Sequence, residues 1–280
     1  MLKVAINGLG RIGRATLKIV VDTPRLRLMG VNDVLAADNL AYLLKFDTVY
    51  GRWKRNVSAH EIGLNIDGKD YPVMSERDPS KLPWRPMGID VVFECTGAFR
   101  KRDDLAKHIE AGARFVILSA PATSEDVPTV IHAVSRLSGN PARIISCASC
   151  TTNCITPVVE IMARRIGVKK ATMTTIHAYT ANQSIVDSGK KDFRRGRAGA
   201  ANLVPASTGA AVATTRALPE FKGKFDGVAV RAPVPVGSLA DIVFIAARAT
   251  SVEEINRVFR EEAGSERYRE VLAEIGRAHV

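Results

Sequence analysis

The stretch Ala148-Ser149-Cys150-Thr151-Thr152-Asn153-Cys154, with His177 downstream, holds the residue types of an activated thiol and its base. Thiolate is the reactive form of cysteine, and a helix N-terminus or a nearby imidazolium favours it. Cys150 stands just before a segment that reads as a helix from Thr151 through Arg164, and His177 closes a strand-like run. Brought together, the two would form an ion pair able to manage a substrate proton. A second cluster, Gly8-Leu9-Gly10-Arg11-Ile12-Gly13, has the spacing of a dinucleotide cradle. Gly8 permits a tight turn, Gly10 lets backbone approach a pyrophosphate, and Gly13 packs a helix on a strand. Asp33 follows Gly13 by 20 residues, at the end of a second strand. A carboxylate there suits the two ribose hydroxyls of NAD and repels a 2′-phosphate. Thiol, base and cradle together point to oxidation of an aldehyde through a covalent thioester.

These residues need elements to position them. Residues 2–6 form a β-rich run into the glycine cluster, Arg14 to Val21 has helical spacing, and Arg27 to Val31 reads as a second strand. Asp90 to Cys95 and Arg114 to Leu118 are continuous apolar runs of strand length, separated by a helix from Lys101 to Gly112. Such alternation predicts a parallel sheet with helical crossovers, that is, a doubly wound α/β domain over 1–149. Beyond it the character changes: Thr172 to His177, Gly227 to Arg231 and Ala240 to Ala247 are strands separated by long loops, as in an α+β domain over 150–273. Cys154, one turn beyond Cys150, is expected to be a buried structural thiol, and Cys95 and Cys147 to be packing residues.

The 280-residue length accommodates two cores, and no apolar run approaches the roughly 20 residues of a membrane span. Lys3-Val4-Ala5-Ile6 is too short for the apolar core of a signal peptide. Four cysteines, three within eight positions, fit no secreted disulfide framework, and the expected compartment is the cytoplasm. A net charge of +11 suits phosphorylated small molecules as well as nucleic acid. The densest basic run, Lys190 to Arg197, is read as a solvated or inter-subunit loop, so neither nucleic acid nor membrane is an expected partner. No metal site is expected.

Ala148 to Cys154, Ile176-His177-Ala178-Tyr179-Thr180, Pro205 to Ala211, Asn7 to Arg14, Glu76 to Pro79 and Thr96-Gly97 resemble the phosphorylating glyceraldehyde-3-phosphate dehydrogenases. The resemblance runs from Met1 to about Leu272. It implies a Rossmann NAD-binding domain, then an α+β catalytic domain with an incomplete sheet. By the same resemblance, Cys150 is the nucleophile and His177 its base. Ser149, Thr151, Thr208 and Gly209 match the inorganic-phosphate site, and Thr180 and Arg231 the site for the substrate's phosphate. Gly8, Gly10, Arg11, Ile12, Gly13, Asp33, Arg77, Thr96, Gly97 and Ser119 match the cofactor site. The implied function is glycolytic: NAD-dependent oxidation of glyceraldehyde 3-phosphate with inorganic phosphate, by a homotetramer when the chain is full length. The loop from Thr180 to Ala201 would lie against a neighbouring subunit's cofactor.

Three departures modify that expectation. Cys147 stands where the family has Asn, a tolerable change. Ser188-Gly189 replaces the Leu-Pro of strictly NAD-using members, which removes bulk and predicts some NADP use beside preferred NAD. The family also continues beyond this length with a Trp-Tyr-Asp-Asn-Glu segment, whereas tryptophan occurs here only at positions 53 and 84. Glu274 to Val280 translates GAG ATC GGA AGA GCA CAC GTC, which carries a common sequencing-adapter string. Residues 274–280 therefore read as a non-native tail on a truncated chain with impaired turnover. Competing readings are an erythrose-4-phosphate dehydrogenase, disfavoured by His177-Ala-Tyr-Thr and Ser207-Thr-Gly-Ala, and a semialdehyde dehydrogenase, disfavoured by Arg231. From another class comes a non-catalytic nucleotide- or nucleic-acid-binding fragment.

Overall fold

The computed structural model describes residues 1–135 and 142–274, so the tail read over 274–280 lies, after Glu274, outside the described residues. The chain divides into two compact units, Met1–Thr129 with Ser138–Ala148, and Val130–Leu137 with Ser149–Val280.

In the first unit, β1 (Leu2–Asn7), α1 (Arg11–Asp22), β2 (Leu26–Asn32) and α2 (Ala37–Lys45) come first. Short strands β3 (Phe46–Asp47) and β4 (Gly51–Arg52) follow, then β5 (Val57–His60), β6 (Gly63–Ile66) and β7 (Lys69–Met74). The unit closes with α3 (Trp84–Met87), β8 (Val91–Glu94), α4 (Arg102–Glu110), β9 (Phe115–Leu118) and β10 (Ile144–Ser146). One sheet has the order β10-β9-β8-β1-β2-β7-β6-β5. It is parallel from β10 to β7, and antiparallel across β7-β6-β5. Val4 and Ile6 pack with Leu17, Leu40 and Leu44, while Ala5 between them joins Trp84 and Val92 in a separate cluster. Both faces of the sheet are thus buried, which is why these strands read as continuous apolar runs. The chain winds from β1 to β2 on one side and later to β8 on the other. That reversal opens a crevice beyond the carboxyl ends of the strands, the usual ligand position in open α/β sheets. The β5-β6-β7 meander was not expected. Its strands are short, placing only alternate residues such as Leu64, Ile66 and Tyr71 in the core, and turn at Asp67-Gly68 with both residues at positive φ.

The second unit contains α5 (Cys150–Arg165), β11 (Val168–Ala178), β12 (Val204–Ser207), α6 (Ala210–Ala217), β13 (Phe225–Ala232), β14 (Ser238–Ala246) and α7 (Val252–Ala263). Its sheet has the order β12-β13-β11-β14, with only β11 and β13 parallel. β11 begins earlier than its apolar pattern suggests, because Val168 and Lys170 pair with Ala246 and Ile245 of β14. One face of β11 buries Ala171, Met173 and Thr175, and the other exposes Thr172, Thr174 and Ile176. α5 and α6 meet through the Thr156 and Thr214 hydroxyls, 3.2 Å apart and fully buried. α7 is tied to α5 by Glu262, which accepts from Arg164 and Arg165. Glu160 on α5 accepts from Arg164, Arg267 and the buried Tyr268 hydroxyl.

Candidate active site

In the first unit the turn after β1 is built by steric necessity. Gly8 has φ +90°, and a Cβ there would lie 2.8 Å from the Thr96 backbone nitrogen. A Cβ on Gly13 would lie 1.8 Å from the Gly8 carbonyl oxygen, so only glycine lets α1 start this close to the strand. Gly10 differs: a Cβ there would meet nothing within 4 Å. The protein itself makes no demand for glycine at this position, which leaves the approach of a ligand as its rationale. A cleft of about 370 Å³ lies at these strand ends, lined among others by Gly8, Gly10, Asp33, Arg77 and Thr96. Asp33 is fixed by two backbone amides, Leu9 N–H at 2.7 Å and Leu35 N–H at 2.9 Å. Its position, the open Gly10 and the helix N-terminus fit a dinucleotide.

Arg11, Ile12, Gly13, Gly97 and Ser119 do not line this cleft. Arg11 pairs with Asp47 and lies over the Tyr50 ring, Ile12 is exposed, and Ser119 N–H donates to the Glu94 carbonyl at the end of β8. Asn7, Asn32, Glu76 and Phe99 line the cleft without having been singled out as site residues. Beneath it is a buried network that sequence reasoning missed. Asn32 donates to Asn7 Oδ1 at 2.7 Å, and Asn7 Nδ2 donates to Glu94. The Thr96 amide and hydroxyl donate to the same carboxylate, as does His108 Nε2 at 3.1 Å. The one signal available was a glutamate inside the apolar run Asp90 to Cys95.

In the second unit Ser149 is the N-cap of α5, its hydroxyl accepting from Thr152 N–H at 3.1 Å, and Cys150 is the first helical residue. The helix begins one residue earlier than its pattern suggested because the cap is Ser149. The preceding Ala148 has φ +57°, an uncommon conformation for a residue with a Cβ. Cys150 Sγ lies 3.2 Å from His177 Nε2. On the far side of the ring, His177 Nδ1 is 2.6 Å from Arg231 Nη1 and 2.7 Å from the Ala178 carbonyl oxygen. Register explains this contact, since His177 and Arg231 are partners on the adjacent parallel strands β11 and β13. Burial, then the nearby Arg195, push the Arg231 guanidinium below its ordinary range, while Cys150 opposes them. Its Nε–H is buried without a partner among the described residues.

The remaining expected residues sit in local turns. Thr208 Oγ1 accepts from Ala210 N–H ahead of α6, Gly209 caps that helix, and Thr180 is bound to Gln183. Thr151 is half-buried in the first turn of α5. Cys154 corrects the expectation of a buried thiol: it is exposed, because a residue four positions beyond Cys150 shares its open helix face. Partial desolvation, then the neighbouring Cys150, still push its thiol above the usual value. Desolvation raises the half-buried Cys95 and Cys147 likewise.

A glycine cradle at a sheet's reversal point, followed by an α+β unit with a cysteine at a helix N-terminus, is the make-up of a two-domain, dinucleotide-dependent oxidoreductase. Residues 2–102 match the glyceraldehyde 3-phosphate dehydrogenase NAD binding domain, and residues 149–277 match the C-terminal domain of the same dehydrogenase. A glyceraldehyde-3-phosphate dehydrogenase of Clostridium pasteurianum is 45% identical over 267 residues, covering 94% of this chain and 79% of that protein. One from Streptomyces coelicolor is 44% identical over 265 residues, with coverages of 94% and 79%. Glyceraldehyde-3-phosphate dehydrogenase 1 of Bacillus subtilis is 45% identical over 264 residues, with coverages of 94% and 78%. The chain belongs to the glyceraldehyde-3-phosphate dehydrogenase family.

Proposed function

We propose that this chain catalyses the NAD-dependent oxidation of glyceraldehyde 3-phosphate, with inorganic phosphate, to 1,3-bisphosphoglycerate. Residues 1–149 serve the dinucleotide and residues 150–273 the catalysis. The observation that carries this reading is the 3.2 Å contact between Cys150 Sγ and His177 Nε2 at the start of α5. There the sulfur stands in the first turn of a helix, within hydrogen-bond distance of a ring nitrogen that can exchange a proton. Cys150 adds to the aldehyde carbon to give a hemithioacetal, with His177 holding the proton of the developing alcohol. NAD, when bound, supplies the hydride acceptor. Phosphate then displaces Cys150 from the resulting thioester and leaves as the acyl phosphate.

Arg231, with Thr180, binds the substrate's phosphate: its buried Nε–H has no partner among the described residues, as suits a group that waits for an anion. Ser149, Thr151, Thr208 and Gly209 take the inorganic phosphate, at the N-terminal turns of α5 and α6. Gly8, Gly10, Arg11, Ile12, Gly13, Asp33, Arg77, Thr96, Gly97 and Ser119 serve NAD, with NADP accepted less well. The working form is a cytoplasmic homotetramer. Supporting assembly, Ile176, Val228, Leu239, Val243 and Ile245 expose apolar side chains on the second unit's sheet. Among the described residues no helix is long and apolar enough to cross a membrane.

The test is turnover with glyceraldehyde 3-phosphate, NAD and phosphate, run beside erythrose 4-phosphate and an acyl semialdehyde. Preference for glyceraldehyde 3-phosphate and dependence on phosphate are expected. Equal or better turnover of either alternative would overturn the substrate assignment, and light scattering checks the tetramer.

A further inference from the structure

His108 is a fully buried imidazole that the proposed chemistry does not use. It stands on α4 between two fully buried partners, Trp84 of α3 and Glu94 of β8. The Trp84 indole Nε1–H lies 3.0 Å from His108 Nδ1, and an indole nitrogen can only donate. Nδ1 therefore keeps its lone pair, and the ring's single proton sits on Nε2. Nε2 lies 3.1 Å from Glu94 Oε2, so both contacts agree on one neutral tautomer. Glu94 divides its two oxygens between the interior and the cleft. Oε2 accepts from His108 and Asn7, whereas Oε1 accepts from the Thr96 amide at 2.8 Å and from the Thr96 hydroxyl. With its proton spent on Glu94, that hydroxyl accepts from Ala98 N–H at 3.1 Å, which closes the turn. Thr96, Ala98 and Phe99 of this turn line the cleft.

We propose that His108 is a positioning residue for the dinucleotide: by holding Glu94 Oε2 it aims Oε1 at Thr96, and so shapes the turn against which the cofactor binds. The inference rests on the reading of this cleft as the NAD site, and adds to it a residue that lies outside the cleft. A carboxylate turns freely about its last carbon–carbon bond unless donors on both oxygens fix the angle. On one side the support is Asn7, itself held by Asn32 at 2.7 Å, which in turn grips the Glu76 amide and carbonyl at 2.8 Å each. That support comes from β1, β2 and the residues after β7. His108 is the support from the other side, with Trp84 behind it to fix which nitrogen carries the proton. In a dry interior each of these bonds polarises the next, so the chain acts as a unit.

Two substitutions separate this role from packing. His108→Asn keeps an acceptor for the Trp84 indole at the place of Nδ1, but is too short to reach Glu94. His108→Gln reaches Glu94 with its amide, but leaves the indole without its acceptor. Each loses one buried hydrogen bond, so urea unfolding should show similar losses of stability. NAD affinity, measured by calorimetry where both proteins are folded, should part them. It is expected to be about tenfold weaker in His108→Asn, the order of one hydrogen bond to a charged group, and unchanged in His108→Gln. Equal weakening in both, which packing alone predicts, or weakening in neither would overturn the proposal. Nitrogen-15 spectra of the histidine-labelled wild-type chain need no folded variant, because the proton of the fully buried ring is recognised by its protection from exchange. His108 is expected to carry its proton on Nε2 alone, and that signal should shift as NAD saturates the cleft. A proton on Nδ1, or a signal unmoved while NAD binds, refutes the role. Wild type that binds no NAD would remove the reading of the cleft and this inference with it, whereas tight wild-type binding with equal variants strikes the inference alone.

Discussion

Glu94→Gln tests how the cofactor cradle is held. Glu94 is fully buried, and its carboxylate accepts from Thr96 N–H at 2.8 Å, the Thr96 hydroxyl, Asn7 Nδ2 and His108 Nε2. His108 must donate through Nε2, because its Nδ1 accepts from the Trp84 indole at 3.0 Å, and an indole N–H can only donate. Four donors therefore converge on one carboxylate. Glutamine keeps the shape but replaces one oxygen with an NH2 group. Turned towards Asn7 and His108, that group meets two donors that cannot reverse, since Asn7 Oδ1 and His108 Nδ1 are already engaged. Turned towards Thr96, it can be accepted by the rotatable hydroxyl but orphans the Thr96 backbone N–H. The second orientation costs less, and one orphaned buried amide is worth about 1–3 kcal/mol. Weakening the three remaining charge-assisted bonds adds to that cost, so we expect a loss of about 2–3 kcal/mol in urea unfolding. NAD affinity, measured by calorimetry, should fall as well, because the Thr96 backbone defines the space that only Gly8 can occupy. A loss below about 0.5 kcal/mol with unchanged NAD affinity would refute the reasoning, because glutamine imitates a carboxyl that carries its own proton.

At the thiol, Cys150→Ser should abolish turnover while leaving NAD binding intact, and His177→Asn should slow acylation by about 10²–10⁴-fold. Unchanged alkylation and turnover in the His177 variant would remove its assigned role. Competitive kinetics should give NAD as the preferred cofactor with measurable NADP use, and zero NADP turnover at saturation would eliminate the relaxed part. Glu262 is held below its ordinary 4.5 by hydrogen bonds from Arg164 first and then Arg165, against partial desolvation. A depressed folded-state value contributes stability above the unfolded value and loses it as pH falls. The melting temperature should therefore drop below about pH 5, and Glu262→Gln should flatten that slope. Parallel acid melting curves for the two proteins would count against the ion cluster.

Much of this site was legible because it is local. The glycine spacing encodes a turn and a helix start within a few residues, and Asp33 follows because a strand must end beside the cradle. Alternation of apolar runs and helical periods likewise announced the parallel sheet. The helix after Cys150 was legible as well, though its start was placed at Thr151, one residue late, because the capping hydroxyl of Ser149 was not read. By contrast, the β5-β6-β7 meander has strands of only four to six residues, in which the alternation that buries Leu64, Ile66 and Tyr71 is too brief to stand out.

What folding alone decided are the contacts made across long stretches of sequence. Arg231 reaches His177 only because β11 and β13 pair in parallel in that register. A shift by one residue would turn Arg231 to the opposite face. Glu94 gained its role from donors on β1, α4 and the turn after β8, none of which an apolar strand pattern can foresee. Cys154 was misread for the same reason, since a helical period says which residues share a face but not whether another element covers it. The sequence by itself determined which residues were chemically able to act. Pairing register and coverage, which depend on partners far along the chain, decided which of them meet.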